Sequence, residues 1–362
     1  MKNQFKVGVN FEEKLLNNII ELNKEQTENF VTELYGSIAC DHQLAARPAF
    51  RLPQISDEEL KKYITKARNK GIVFNYTLNS ISPYVSKKEF ANNLDKIINR
   101  INYLKDIGVY RFTISNPILL EIFKKYIDKN TRIEISTISH VDTLTQIKFY
   151  NDEYGVDKIC CNLLKNRDFN WLEKASNYCY NNNIILELMV NEFCGVGGNN
   201  YGTHCIYRDS CYICHATNIT ESDALSFDNY PMKFCTQSRN KNPANWLRMN
   251  WIRPDDLHYY NDIGIYNFKV TGRTGSSNYI IKTLNAYLNE HYEGNLINLW
   301  KPLESITGKE KEDFALCNIQ SNKLNGFIEN WVTNKHNCAN EVCGETCDYC
   351  ERFYKECIID KE

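Results

Sequence analysis

The chain has 362 residues, 43% of them hydrophobic and 24% charged, with a formal net charge of −2. That length holds one large domain with a full core or two smaller ones, and the near-neutral balance excludes a global basic field for gripping nucleic acid. No apolar run reaches the length of a membrane span, and the opening MKNQFKVGVN has no apolar leader core, so a cytoplasmic protein is expected.

In chain order, β-rich runs are expected at 5–9, 31–35, 71–78, 110–114, 132–136, 157–161, 184–190 and 265–270. Amphipathic helical stretches lie between them at 56–69, 87–107, 117–128, 141–154, 170–181 and 255–262. The first of these carries Asp57, Glu58 and Glu59 in its opening turn. Gly71, Gly108, Gly155 and Gly264 precede strands, where a helix would stop. Repeated βα units with apolar strands indicate a parallel sheet, and eight of them favour a closed (β/α)8 barrel over an open doubly wound sheet.

In such a barrel the chemistry sits at the C-terminal ends of the strands. Polar residues gather at those ends: Asn10, Glu33, Asn75, Thr77, Asn79, Ser115, Asn116, Ser136, Ser139, Asn162, Glu187, Asn191, Lys269 and Arg273. Any one of them could be an ordinary loop or cap residue, but together they form a ring at one mouth. A long insertion, 191–250, follows the seventh strand, where a few residues would suffice. The barrel is expected to span 1–292, including this insertion, with 293–362 as a C-terminal extension.

The 15 cysteines are not spread evenly. Cys194, Cys205, Cys211, Cys214 and Cys235 fall in the insertion; Cys338, Cys343, Cys347, Cys350 and Cys357 crowd the tail. A disulfide framework suits small secreted domains, so these groups read as soft-metal sites. The loose spacing of the first favours iron–sulfur over zinc, with zinc as the alternative metal. His204 and His215 could replace a thiolate. Cys343, Cys347 and Cys350 have the CxxxCxxC spacing of radical S-adenosylmethionine enzymes, but no barrel follows them, so a tail cluster with Cys338 as fourth ligand is the better reading. Cys40, Cys160, Cys161, Cys179 and Cys317 are expected to be core or loop thiols.

The segments LELMVNEFCG, HCIYRDSCYICH, FCTQ and NWIRPDDLHYYNDIGIYNFKVTGRT resemble peptidase family U32, the collagenase-like peptidases. Ile252, Arg253, Pro254, Asp255, Leu257, Tyr260, Gly264, Ile265, Phe268, Lys269, Gly272 and Arg273 carry the resemblance most closely. It implies a barrel-like fold and, despite the family's name, oxygen-independent hydroxylation with a four-cysteine [4Fe–4S] centre and prephenate as the oxygen source. It also implies Cys194 as first ligand and Cys235 as last, with Cys205 and either Cys211 or Cys214 between. One cluster or two are expected, and a sister protein or electron donor as partner.

Lys269 and Arg273 would then present two cations to a dicarboxylate such as prephenate. Asn191 and Asn79 could orient it, and His42 could serve as general acid or base. Glu187, in an apolar strand, needs a partner, for which Lys269 is the obvious candidate. A small-molecule substrate is favoured over RNA. The competing readings are a structural iron–sulfur or zinc protein, a radical enzyme and a true peptidase, for which no GxSxG or HExxH motif speaks.

Overall fold

The computed structural model describes residues 2–81, 87–128, 130–192, 238–300 and 317–360. β1 (Gln4–Gly8), α1 (Glu13–Glu25), β2 (Phe30–Gly36), α2 (Asp57–Arg68) and β3 (Val73–Leu78) open the chain. They are followed by α3 (Lys87–Asn92), α4 (Leu94–Asp106), β4 (Arg111–Ile114), α5 (Pro117–Tyr126) and β5 (Arg132–Ile135). Next come α6 (Leu144–Tyr154), β6 (Lys158–Cys160), α7 (Phe169–Asn181) and β7 (Ile185–Met189). After the insertion's described end stand α8 (Asn245–Arg248), α9 (Leu257–Asn261), β8 (Asn267–Val270) and α10 (Ser277–Leu288).

The eight strands close in sequence order into one barrel, all parallel, with β8 returning to β1. The expected (β/α)8 architecture is therefore the observed one, and each expected strand matches an observed strand to within about two residues. Gly71, Gly108, Gly155 and Gly264 all have φ between +58° and +103°, the left-handed backbone that ends a helix without a Cβ penalty. α2 begins on a reciprocal cap: Ser56 accepts from the Glu59 amide while Glu59 accepts from the Ser56 amide.

Three helical expectations need correction. The stretch 87–107 is two helices, broken at Asn93, whose φ of −106° and ψ of 7° leave the helical well. The stretch 141–154 starts only at Leu144, because Thr143 and Gln146 form a capping box that fixes the entry there. The stretch 255–262 is a 3₁₀ turn, Pro254–Asp256, before the short α9, with proline setting the first φ.

Beyond α10 the chain forms α11 (Ile297–Trp300), β9 (Cys317–Ile319), α12 (Glu329–Val332), α13 (Tyr349–Cys357) and β10 (Ile358–Asp360). β9 and β10 pair antiparallel, apart from the barrel. Leu296, Trp300, Phe327, Trp331 and Cys357 are buried in the same continuous core as the barrel strands, so this extension shares the barrel's core. Arg253 ties it down. Its guanidinium pairs with Asp256 at 2.7 Å and donates to the Ser321 carbonyl at 2.6 Å and Asn325 Oδ1 at 2.8 Å.

Candidate functional site: barrel interior, mouth and tail pocket

Alternate residues of each strand point into the barrel. In most barrels they are apolar, but here one layer is charged. Lys6 of β1, Glu33 of β2, Glu134 of β5, Lys158 of β6, Glu187 of β7 and Lys269 of β8 all meet inside, each buried. A register slip helps: Phe5 pairs with Val31 but Lys6 with Glu33, so Thr32 is the extra residue that turns Glu33 inward beside Lys6.

The network is dense. Lys6 Nζ bonds Glu134, stands 2.8 Å from Glu187 and 3.9 Å from Glu33. Lys158 Nζ stands 2.9 Å from Glu33 and 3.4 Å from Glu187. Arg111 reaches Glu33 at 2.6 Å, and the Asn75 amide donates to Glu33 at 2.8 Å and Glu134 at 3.0 Å. Thr113 donates to Asn75 Oδ1 at 2.6 Å. Burial alone would raise both Glu33 and Glu187, but the surrounding cations hold them below the ordinary carboxylate value. Glu134 goes the other way, raised by burial and by the charge of Glu187.

The expected Glu187–Lys269 pair is not the one that forms. Glu187 takes Lys6 and Lys158, while Lys269 stands 3.9 Å from Glu134. Lys269 lies inside the barrel at 4% exposure, its Nζ 4.4 Å from the centroid of the Tyr35 ring. Burial and then Lys6 lower its pKa. Its place on the strand differs from that of Arg273. The reason is pleat: Lys269 points inward from mid-strand, whereas Arg273 follows Gly272 past the strand end.

Arg273 is at the mouth. Its Nη1 donates to Thr77 Oγ1 at 2.9 Å and Ser37 Oγ at 3.2 Å. Among the described residues no carboxylate pairs with it. Burial and then the neighbouring Arg47 pull its pKa down to about 10. Arg47, whose Nη1 donates to the Ala46 carbonyl at 2.8 Å, likewise has no carboxylate partner among the described residues. Gly8 makes room for this group. A Cβ there would stand 2.9 Å from the Tyr35 hydroxyl and 3.1 Å from Arg273 Cβ. Arg47 went unnoticed in the sequence because it lies in a loop with no motif around it.

Other expected residues are placed differently. The Asn191 amide is spent on backbone: Nδ2 donates to the carbonyls of Thr271 and Leu299, both at 3.1 Å, and Oδ1 accepts from the Thr271 amide at 2.7 Å. It locks the end of β7 to the end of β8. Asn79 Oδ1 accepts from the Ala46 amide at 3.1 Å, which fixes the loop that carries Arg47. His42 sits in a 3₁₀ turn with Nδ1 3.0 Å from the Ala39 carbonyl. Cys194, Cys205, Cys211, Cys214 and Cys235, with His204 and His215, lie outside the described residues. The insertion's two ends meet at the top of β7, where the Ile252 amide donates to the Val190 carbonyl at 2.8 Å.

The tail cysteines are brought together. Cys338, Cys343, Cys347 and Cys350 line one small pocket, with His336 Nε2 3.8 Å from Cys347 Sγ. All four are free thiols, and burial pushes Cys350 up to about 12. Cys357 stands apart, its thiol donating to the Lys323 carbonyl at 2.9 Å. Among the described residues no three His, Cys, Asp or Glu side chains converge as they stand on one metal-ion position. No helix among them is long and apolar enough to cross a membrane.

No protein-family model matches the chain. Among solved structures it is similar to the U32 peptidase Mk0906, with a TM-score of 0.48 at 12% identity, covering 74% of this chain and 92% of that one. It is also similar to an HpcH/HpaI aldolase from Desulfitobacterium hafniense, with a TM-score of 0.32 at 10% identity, over 52% of this chain and 78% of that one. The barrel stands on its own strand pairing and draws nothing from either. Among curated proteins the chain is 27% identical over 308 residues to an uncharacterized protease of Methanocaldococcus jannaschii, a match that spans 83% of this chain and 82% of that protein.

Proposed function

We propose that the chain is a U32-type enzyme that binds a small anionic substrate at the barrel mouth. The reaction proposed is an oxygen-independent hydroxylation, or a related modification, with prephenate as the candidate oxygen donor. The observation that carries this reading is Arg273: a partly buried guanidinium at the C-terminal face, beside a second arginine, held by hydroxyls and by no carboxylate among the described residues. Two adjacent cations with no carboxylate paired to either among the described residues cost free energy, and an anionic ligand relieves that cost.

In this proposal Arg273 and Arg47 bind and orient the anion, and Ser37 and Thr77 fix the Arg273 fork. Lys269, below, is the buried amine within the barrel that would hold or take up a proton. Cys194, Cys205, Cys235 and one of Cys211 or Cys214 would hold an iron–sulfur cluster above the mouth, since their loop leaves and re-enters at the top of β7. Such a cluster supplies electrons, or an open iron as Lewis acid where only three thiolates bind.

The test is calorimetric binding of prephenate to anaerobically purified protein, wild type against Arg273→Gln. Loss of a charge-assisted contact is expected to weaken binding by about 10- to 100-fold. Equal affinity in both proteins would remove Arg273 from the site. Iron content that survives Cys194→Ala unchanged would remove the cluster from this reading.

A further inference from the structure

Arg167 lies in the loop after β6, at 3% exposure, and is a buried cation with no carboxylate partner among the described residues. Its Nη1 donates to the Leu247 carbonyl at 2.6 Å, but Nε and Nη2 have no hydrogen-bond partner. Its guanidinium carbon stands 4.8 Å from the Trp331 ring, 4.9 Å from Trp251 and 5.0 Å from Phe327. Aromatic faces soften the cost of burying a cation but supply no negative charge to balance it. Cys338 and Cys350 adjoin this guanidinium: the Trp331 indole donates to Cys338 Sγ at 3.2 Å, and Cys350 Sγ shares the Leu247 carbonyl at 3.9 Å.

The pocket wall is built to hold thiols in place. Cys343 and Cys347 face each other across a tight turn, in which the Gly344 amide donates to the Cys347 carbonyl at 2.8 Å and Gly344 has φ +88°. Cys350 follows on the first turn of α13, which is anchored by Glu351 to Arg248 at 2.6 Å. We infer that Cys338, Cys343, Cys347 and Cys350 form a soft-metal centre beside the ends of β6 and β7, with Arg167 as its buried counter-cation. Four thiolates around one zinc-type ion, or around a [4Fe–4S] core, carry net negative charge, which is what Arg167 lacks. On binding, each thiol gives its proton to solvent as its sulfur ligates. The thiols either draw in around one ion or stay apart around a multi-iron core.

The test is metal and sulfide content of the full chain purified anaerobically, wild type against the Cys347→Ser/Cys350→Ser double variant. Loss of one zinc, or of about four irons with their sulfide, supports the centre, and the metal lost separates the two forms. Unchanged content overturns it. Cys194→Ser serves as the control that leaves the tail's metal in place, so failure of the mouth reading is distinguishable from failure of this one. Alkylation mapping of wild type decides should the double variant not fold. Protection of all four tail thiols until chelator is added supports the centre, and equal labelling before and after overturns it. Arg167→Leu is expected to release the metal about 10- to 100-fold faster to a competing chelator, with Arg167→Lys largely retaining it. Equal release in all three proteins removes Arg167 from the centre.

Discussion

The barrel interior and the loops above it treat buried cations in opposite ways. Inside, Lys6 and Lys158 each meet more than one of the three carboxylates Glu33, Glu134 and Glu187, and Asn75 bridges two of them. Above, Arg273 and Arg167 are held by hydroxyls, a carbonyl and aromatic rings, without a carboxylate among the described residues. Where charge is structural, the chain supplies both signs; where it supplies one among the described residues, the other is proposed to come from a bound species.

The largest expected effect comes from unbalancing the interior. Glu33→Gln leaves Lys158, Arg111 and Lys6 with fewer carboxylates, and truncating one member of a buried ionic cluster costs about 3–5 kcal/mol. Urea unfolding measures it. A loss below about 1 kcal/mol would mean that the cations relax into water and that the interior charges do not depend on one another.

Gly8→Ala is expected to cost less, about 1–3 kcal/mol, by pressing a methyl onto the Tyr35 hydroxyl and Arg273 Cβ. It should also weaken anion binding, because Arg273 must move. A variant as stable as wild type and with unchanged binding would show that the mouth has slack.

The smallest effect is a sign. Glu33 and Glu187 have folded pKa values below the ordinary 4.5, so the stability they contribute is present above that pH and is lost as pH falls through their folded values. Glu134 is raised, so its contribution is fullest below 4.5 and is lost as pH rises through its folded value. Melting temperatures of Glu33→Gln and Glu134→Gln across mildly acid pH, each relative to wild type, should therefore slope in opposite directions. Parallel slopes would mean the carboxylates act as one group.

The barrel was legible because eight βα repeats and four helix-stopping glycines are local signals. The charged layer was less so. A single Lys or Glu within IEI, FKV or LEL also reads as a strand with one wet face, and only closure turns that face inward. The available clue was that six of the eight strands carry such a residue at the inward position. Arg47 and Arg167 gave no signal, since each is an isolated loop cation whose meaning comes from long-range packing. The tail cysteines were legible by spacing alone, but their neighbour Arg167 was not.

Pairing of β1 with β8 has a consequence during synthesis. The first strand keeps an open edge until residue 270 leaves the ribosome, on the order of tens of seconds later at typical elongation rates. Throughout that interval Lys6 stands in the middle of the unpaired strand, and a lysine there discourages edge-to-edge joining with another nascent chain. The same ammonium that closes the finished interior thus guards the strand while the interior does not yet exist.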